Sequence, residues 1–209
     1  ERKLVYTFCF LLTTFFQKTF KKTKSKVFLI LYSQTHKRFH MREIERLTGE
    51  RINAVREALL SFVKAKLITS ETVGKKRFFQ ANKDSVFYDE LLRIVAKKVS
   101  LGHRIIEDRA RLGKVKYAFL TDSYYRQNQR TTEEIDLFLV GIISLKEISK
   151  ITAEESGVLG REINFSVMDS DEFAFRKKNK DPFLASILQK DRVMLIGQNP
   201  TEPAPVRTE

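Results

Sequence analysis

With 209 residues the chain has room for one large domain or two small ones, and 42% hydrophobic and 11% aromatic residues supply enough apolar material for packed cores, which excludes wholesale disorder. A single cysteine, Cys9, excludes an intramolecular disulfide and a cysteine-based zinc site, and the three histidines, His36, His40 and His103, form no ligand cluster. The formal charge of +13 is uneven: residues 1–113 hold 25 Lys+Arg against 11 Asp+Glu, a net +14, whereas residues 114–209 hold 14 against 15, a net −1, so a polyanionic partner is expected for the first half only.

The chain opens with LVYTFCFLLTTFF over residues 4–16, a run without charge. It is shorter than the ~20 residues that span a bilayer. It resembles the apolar part of a secretory leader, but QKTFKK follows in place of a small-residue cleavage site. Residues 1–17 are therefore expected to pack on the protein or on a second protomer, with no membrane partner and a cytoplasmic location.

Residues 18–85 are expected to form the first domain. KSKVFLILYS, 24–33, predicts a short apolar helix, and Lys21, Lys22, Lys24 and Lys26 at its start are expected to offer cations to phosphates. Met41, Ile44 and Leu47 fall on one face of a second helix, which Thr48-Gly49-Glu50 ends. Ile52, Val55, Leu59, Phe62 and Val63 line a third helix running to about Lys66. Ile68–Val73 and Lys76–Gln80 alternate as strands around a turn at Gly74-Lys75. Helix, helix, turn, helix and β-hairpin is the order of a winged helix-turn-helix. In that arrangement the helix after the turn enters the major groove of double-stranded DNA by its N-terminal part. Arg51, Asn53, Ala54, Arg56 and Glu57 lie off its apolar face. Arg51 and Arg56 match guanine edges and Asn53 an adenine edge, while Lys75, Lys76 and Arg77 at the hairpin tip suit phosphates. Residues 86–113 predict a helical connector, with Tyr88, Leu91, Leu92, Val95 and Val99 in one stripe and Ile105, Ile106 and Leu112 continuing it. Because symmetric DNA readers pair, a homodimer is expected.

Residues 114–198 predict a small α/β domain. VKYAFL (115–120), IDLFLV (135–140), EINFSVM (162–168) and RVMLIG (192–197) read as strands. The helices between them are a Ser144-capped one with Leu145, Ile148 and Ile151 on one side, a Ser170-capped one, and one with Pro182 in its first turn. The tail, 199–209, is expected to be disordered.

Between the first two of these strands, LTDSYYRQNQRTTEEIDLFLV holds Asp122, Ser123, Glu134 and Asp136. This stretch resembles a degenerate form of the minimal signature of the nucleotidyltransferase superfamily: Gly-Ser, a second Gly four residues on, then Asp-x-Asp. Together with GREIN, DEF, DPFL and the closing V-x-L-I-G, the arrangement is similar to winged-helix/nucleotidyltransferase-like predicted transcriptional regulators over about residues 18–198. The resemblance implies a two-domain α+β or α/β chain, with a winged helix followed by a small polymerase-beta-like fold. In the active family two carboxylates hold divalent metals against a triphosphate. Here Asp122 stands for the first Gly, Gln127 for the second and Glu134 for the first carboxylate, while the third would fall at Glu162-Ile163-Asn164. Asp122 sets a charge and a Cβ where triphosphate meets bare backbone, and Glu134 is one methylene too long. The expectation is a DNA-binding transcriptional regulator that is not an enzyme and uses no cofactor, its degenerate domain serving dimerisation or ligand sensing. The alternative is transfer of a nucleotide to protein or RNA by Ser123, Glu134 and Asp136 with magnesium. Tyr124, Tyr125, Arg126 and Arg130 line a remodelled pocket or an interface, or are ordinary loop residues.

Overall fold

The first helix, α1 (Lys22–Ser33), is apolar on most sides and buries Val27, Phe28, Leu29, Leu31 and Tyr32. The computed structural model describes residues 22–126 and 134–201, so the expectations for residues 1–17, Lys21, Gln127, Arg130 and 202–209 lie outside the described residues. The chain divides into two compact units between Ser100 and Leu101. It is an α+β protein with ten helices, a three-stranded antiparallel sheet and a four-stranded mixed sheet among the described residues. Among those residues no helix is long and apolar enough to cross a membrane.

In the first unit, α1 is followed by β1 (Phe39–His40), α2 (Met41–Thr48), α3 (Ile52–Lys64), β2 (Ile68–Val73), β3 (Lys76–Ala81) and α4 (Tyr88–Lys98). The sheet order is β1-β3-β2, and the β2–β3 hairpin pairs Val73 with Lys76 across Gly74-Lys75. Gly49 ends α2 at φ 65, a left-handed value that glycine adopts without a Cβ penalty, and its N–H bonds the Glu45 carbonyl. Phe28 stacks on Tyr32 at 4.5 Å between ring centres and meets Phe62 of α3 edge-on at 5.9 Å. The Tyr32 hydroxyl donates to the Leu67 carbonyl at 2.7 Å, and burial pushes this phenol above its ordinary range. The sequence stripe on α4 splits in two: Leu92, Val95 and Val99 are buried with Ala96, but Tyr88 and Leu91 are only half covered.

The second unit runs α5 (Ser100–Glu107), α6 (Arg109–Leu112), β4 (Gly113–Thr121), α7 (Asp122–Tyr125), β5 (Leu137–Ile143), α8 (Leu145–Leu159), β6 (Phe165–Met168), α9 (Ser170–Lys178), α10 (Pro182–Gln189) and β7 (Arg192–Ile196). The expected connector helix is thus broken into α4, α5 and α6, with Ser100 at φ 55 between the first two. The sheet order is β6-β5-β4-β7, with β5–β6 parallel and the other pairs antiparallel. Phe119 and Phe138 stack across β4 and β5 at 5.3 Å, and Val140, Met168, Phe173, Leu184 and Ile187 close the core around them. At Gly141 (φ 139) a Cβ would lie 2.2 Å from the Lys114 carbonyl oxygen, so the β4 irregularity at Val115/Tyr117 requires glycine there.

Local capping chemistry sets the helix starts. Ser144 caps α8 by accepting from the Glu147 N–H at 3.5 Å. Ile148 and Ile151 face inward as expected, but Leu145, in the first turn, is 60% exposed. The cap of α9 is Asp169, one residue before the expected Ser170, because its carboxylate accepts from both Asp171 and Glu172 N–H groups. Pro182 opens α10 behind a capping Asp181. The start of the tail is packed, contrary to expectation: Pro200 is buried and its carbonyl accepts from Lys177.

Candidate functional site

Two groups of residues were singled out by the sequence, one in each unit. In the first unit, α3 buries Val55, Ala58, Leu59 and Phe62, and this one-sided packing leaves Arg51, Asn53, Arg56 and Glu57 exposed. Ala54 is half covered. No acidic residue lies in the first turn of α3, so its positive dipole end is not neutralised by a side chain of that turn. Lys75, Lys76 and Arg77 at the hairpin tip are exposed. Arg77 is partly engaged: it donates to Ser70 Oγ at 2.7 Å and lies over the Phe79 ring. Two further exposed cations, Arg42 and Arg46, lie on α2; the apolar period of α2 places them off its buried face, a signal the sequence reading did not use.

The lysines before α3 do not all serve the same end. Lys22 is exposed, but Lys26 is turned onto Glu50 Oε1 at 2.6 Å and the Thr48 carbonyl at 3.0 Å. Thr23 donates to the other Glu50 oxygen at 3.1 Å. Glu50 immediately precedes Arg51, the N-cap residue of α3, so this network ties α1 to the turn between α2 and α3. The Lys26 bond holds the Glu50 carboxyl below the usual range. Lys26 is therefore a structural cation and not a phosphate contact.

In the second unit, strand ends gather the carboxylates. The Asp136 carbonyl accepts from the Thr121 N–H at 3.0 Å, and its own N–H donates to the Asn164 carbonyl at 2.8 Å. Asp122 N–H donates to the Asp191 carbonyl at 3.1 Å, so the ends of β4, β5, β6 and β7 meet here. The expected strand IDLFLV starts two residues late, at Leu137. Glu134 and Asp136 thus precede the pleat that would have aimed both at one metal.

Each carboxylate has its own cation instead. Asp136 is fully buried, and Arg161 Nη1 lies 3.2 and 3.1 Å from its two oxygens. The Asn164 N–H adds a third bond at 3.0 Å. The Arg161 guanidinium also lies over the Tyr124 ring, 5.5 Å from its centre. Glu134 pairs with Lys190 at 3.0 Å, and its carbonyl accepts from the Asn164 side chain at 3.0 Å. Asn164 falls in the segment where the third carboxylate was sought, and it works as a donor. A divalent cation at Asp136 would have to displace the guanidinium and reach a carboxylate closed to water, so these residues do not fit a metal pair. Among the described residues no three His, Cys, Asp or Glu side chains converge as a metal site.

The other described residues at the start of the stretch are held by contacts within the unit. Ser123 is buried, its Oγ accepting from Thr121 Oγ1 at 3.3 Å, and its N–H donates to Asp122 Oδ1 at 3.0 Å. Tyr124 and Tyr125 are buried, and the Tyr125 hydroxyl donates to Asp191 Oδ2 at 2.7 Å, which also meets Arg126 at 3.1 Å. Tyr124, Tyr125 and Arg126 thus make contacts within the unit. Sequence reasoning missed Arg161 and Lys190. No spacing rule marks them, because the loop before β6 and the end of α10 reach Asp136 and Glu134 only through the sheet order.

Comparison of the chain with protein-family models, with curated proteins and with solved structures finds no match.

Proposed function

We propose that the chain is a sequence-specific, DNA-binding transcriptional regulator that acts as a homodimer on double-stranded DNA. In this reading the first unit is a winged helix-turn-helix, and the second is a polymerase-beta-like scaffold that no longer carries nucleotidyl transfer. The observation that carries the reading is the exposed set Arg51, Asn53 and Arg56 at the start of α3 together with Lys75, Lys76 and Arg77 on the hairpin tip. Base-edge chemistry and phosphate chemistry then occur on the two elements that such a module uses for them. The net +14 of residues 1–113 supports the same partner. Against transfer chemistry stand the Arg161 and Lys190 pairings, which compensate the two carboxylates from within the chain.

The test is selection of genomic DNA fragments by the purified chain across a salt series, with the bound fragments sequenced. A shared inverted-repeat site, bound with an affinity that falls steeply with salt, is the expected result. Uniform binding of all fragments that disappears at physiological salt overturns the regulator reading.

A further inference from the structure

Helix α4 carries a second apolar face that its own unit does not cover. Phe87 is 59% exposed and Ile94 40% exposed, Leu91 is half-buried between them, and Val86 just ahead is 84% exposed. Phe87, Leu91 and Ile94 recur at i, i+4 and i+7, which lines them along one side of the helix. Leu92, Val95, Ala96 and Val99 occupy the side turned into the unit. A helix with two apolar stripes has one more than its own core uses.

The charges beside the outer stripe identify what fits it. Glu90 and Lys97 are both exposed and lie seven residues apart, so they flank the stripe along the same rim. The helix as a whole is acidic in its first turn, with Asp89 and Glu90, and basic in its last, with Lys97 and Lys98. We infer that the Phe87–Leu91–Ile94 stripe of α4 is the seam of a homodimer in which two copies of α4 pack antiparallel about a twofold axis. An axis passing midway between residues 93 and 94 sets Glu90 of each copy against Lys97 of the other and brings the two Ile94 side chains together. A parallel pairing would place the Glu90–Lys97 rims of the two copies on opposite sides of the seam, where neither residue meets its counterpart's opposite charge, so the charge pattern selects the antiparallel one. This gives the homodimer of the proposed function a surface and rests on that part of the reading alone. One helix pair is a small interface, so the dimer is expected to be concentration-dependent in the micromolar range.

Sedimentation velocity of the full chain without DNA, across a concentration series, tests the seam. Wild type is expected to shift reversibly from monomer to dimer. Ile94→Arg, which opposes two cations at the axis, is expected to abolish the shift while the melting curve stays within a few degrees of wild type. Glu90→Lys and Lys97→Glu are each expected to weaken the dimer by about fivefold, since each loses two symmetry-related pairs, and the double variant is expected to restore it. A chain that stays monomeric throughout, a dimer indifferent to Ile94→Arg, or a double charge swap as weak as the single ones overturns the inference. Because DNA is absent, failure here is separate from failure to select a DNA site.

Discussion

Removing the Arg161 side chain takes away the cation that touches both oxygens of the fully buried Asp136 carboxylate, while the bond from the uncharged Asn164 N–H stays. Breaking a buried ion pair by deleting one partner costs about 3–5 kcal/mol, because the remaining charge stays desolvated. The Arg161 side chain is 30% exposed, so water screens part of the interaction, and one nitrogen straddles both oxygens where a two-pronged fork would bond more strongly. Both features place Arg161→Ala at the lower end, about 3 kcal/mol. For a unit of this size that corresponds to a fall of roughly 10–20 °C in melting temperature. Calorimetry of the full chain reads it directly. Asp136→Asn with Arg161→Ala removes both charges, so the pair is expected to cost about 1–3 kcal/mol less than the sum of the single changes. Arg161→Ala melting within 2 °C of wild type (about 0.5 kcal/mol or less), or single effects that simply add, would refute the assignment of the guanidinium as the counter-charge of Asp136.

Other expectations concern the first unit and the backbone. Arg56→Ala should weaken binding to the selected DNA site by about 1–3 kcal/mol while leaving non-specific binding nearly unchanged, and fluorescence anisotropy with cognate and scrambled duplexes measures both. Lys75→Ala should weaken all sequences alike and reduce the slope of log affinity against log salt by about 0.9. Since the Lys26 bond lowers the Glu50 carboxyl, its stabilisation is present above the unfolded carboxylate range, near pH 4.3, and is lost as pH falls through the lower folded value. The stability gap between wild type and Glu50→Gln in urea titrations should therefore be full at pH 7 and close in acid; a gap that widens in acid contradicts the network. Gly141→Ala, with its Cβ 2.2 Å from a backbone oxygen, should disrupt the second sheet, whereas Gly49→Ala, with open space around it, should cost only about 1–2 kcal/mol for its positive φ. Thermal melts of the two variants distinguish these outcomes.

The first unit was readable because its elements follow clean periods. Val55, Leu59 and Phe62 recur at helical spacing with polar residues between, and the hairpin alternates around a glycine turn, so the strand limits agree to within a residue. The two-residue β1 has no period to detect and forms because Phe39 and His40 pair with β3. Sequence spacing alone groups Leu91 with the inner stripe because both apolar faces of α4 obey helical spacing, and only packing separates them. In the second unit the strands were visible as apolar runs, but the order β6-β5-β4-β7 was not. That order is what delivers Arg161 to Asp136 and Lys190 to Glu134, 25 and 56 residues apart in sequence. The carboxylates Glu134 and Asp136 could be read from the residues; the cations that pair with them could not.

The buried acid at Asp136 has a structural role in the second sheet. β5 and β6 form a parallel pair connected through α8, so no tight turn sets their register. The contacts around Asp136 do so instead. Its N–H bonds the Asn164 carbonyl, the Asn164 N–H bonds its carboxylate, and the Asn164 side chain bonds the Glu134 carbonyl. A slip of one residue would break all three bonds and turn the buried Leu137 and Leu139 to the opposite face. An apolar residue at 136 would keep the two backbone-mediated bonds but lose the carboxylate that reaches across to Asn164 and Arg161. The charge therefore acts as a register pin between two strands that lack a hairpin, and Arg161 is what makes a charge tolerable at a position closed to water. Under the proposed function this makes the second unit a rigid scaffold held by the residues that an active transferase would devote to metal.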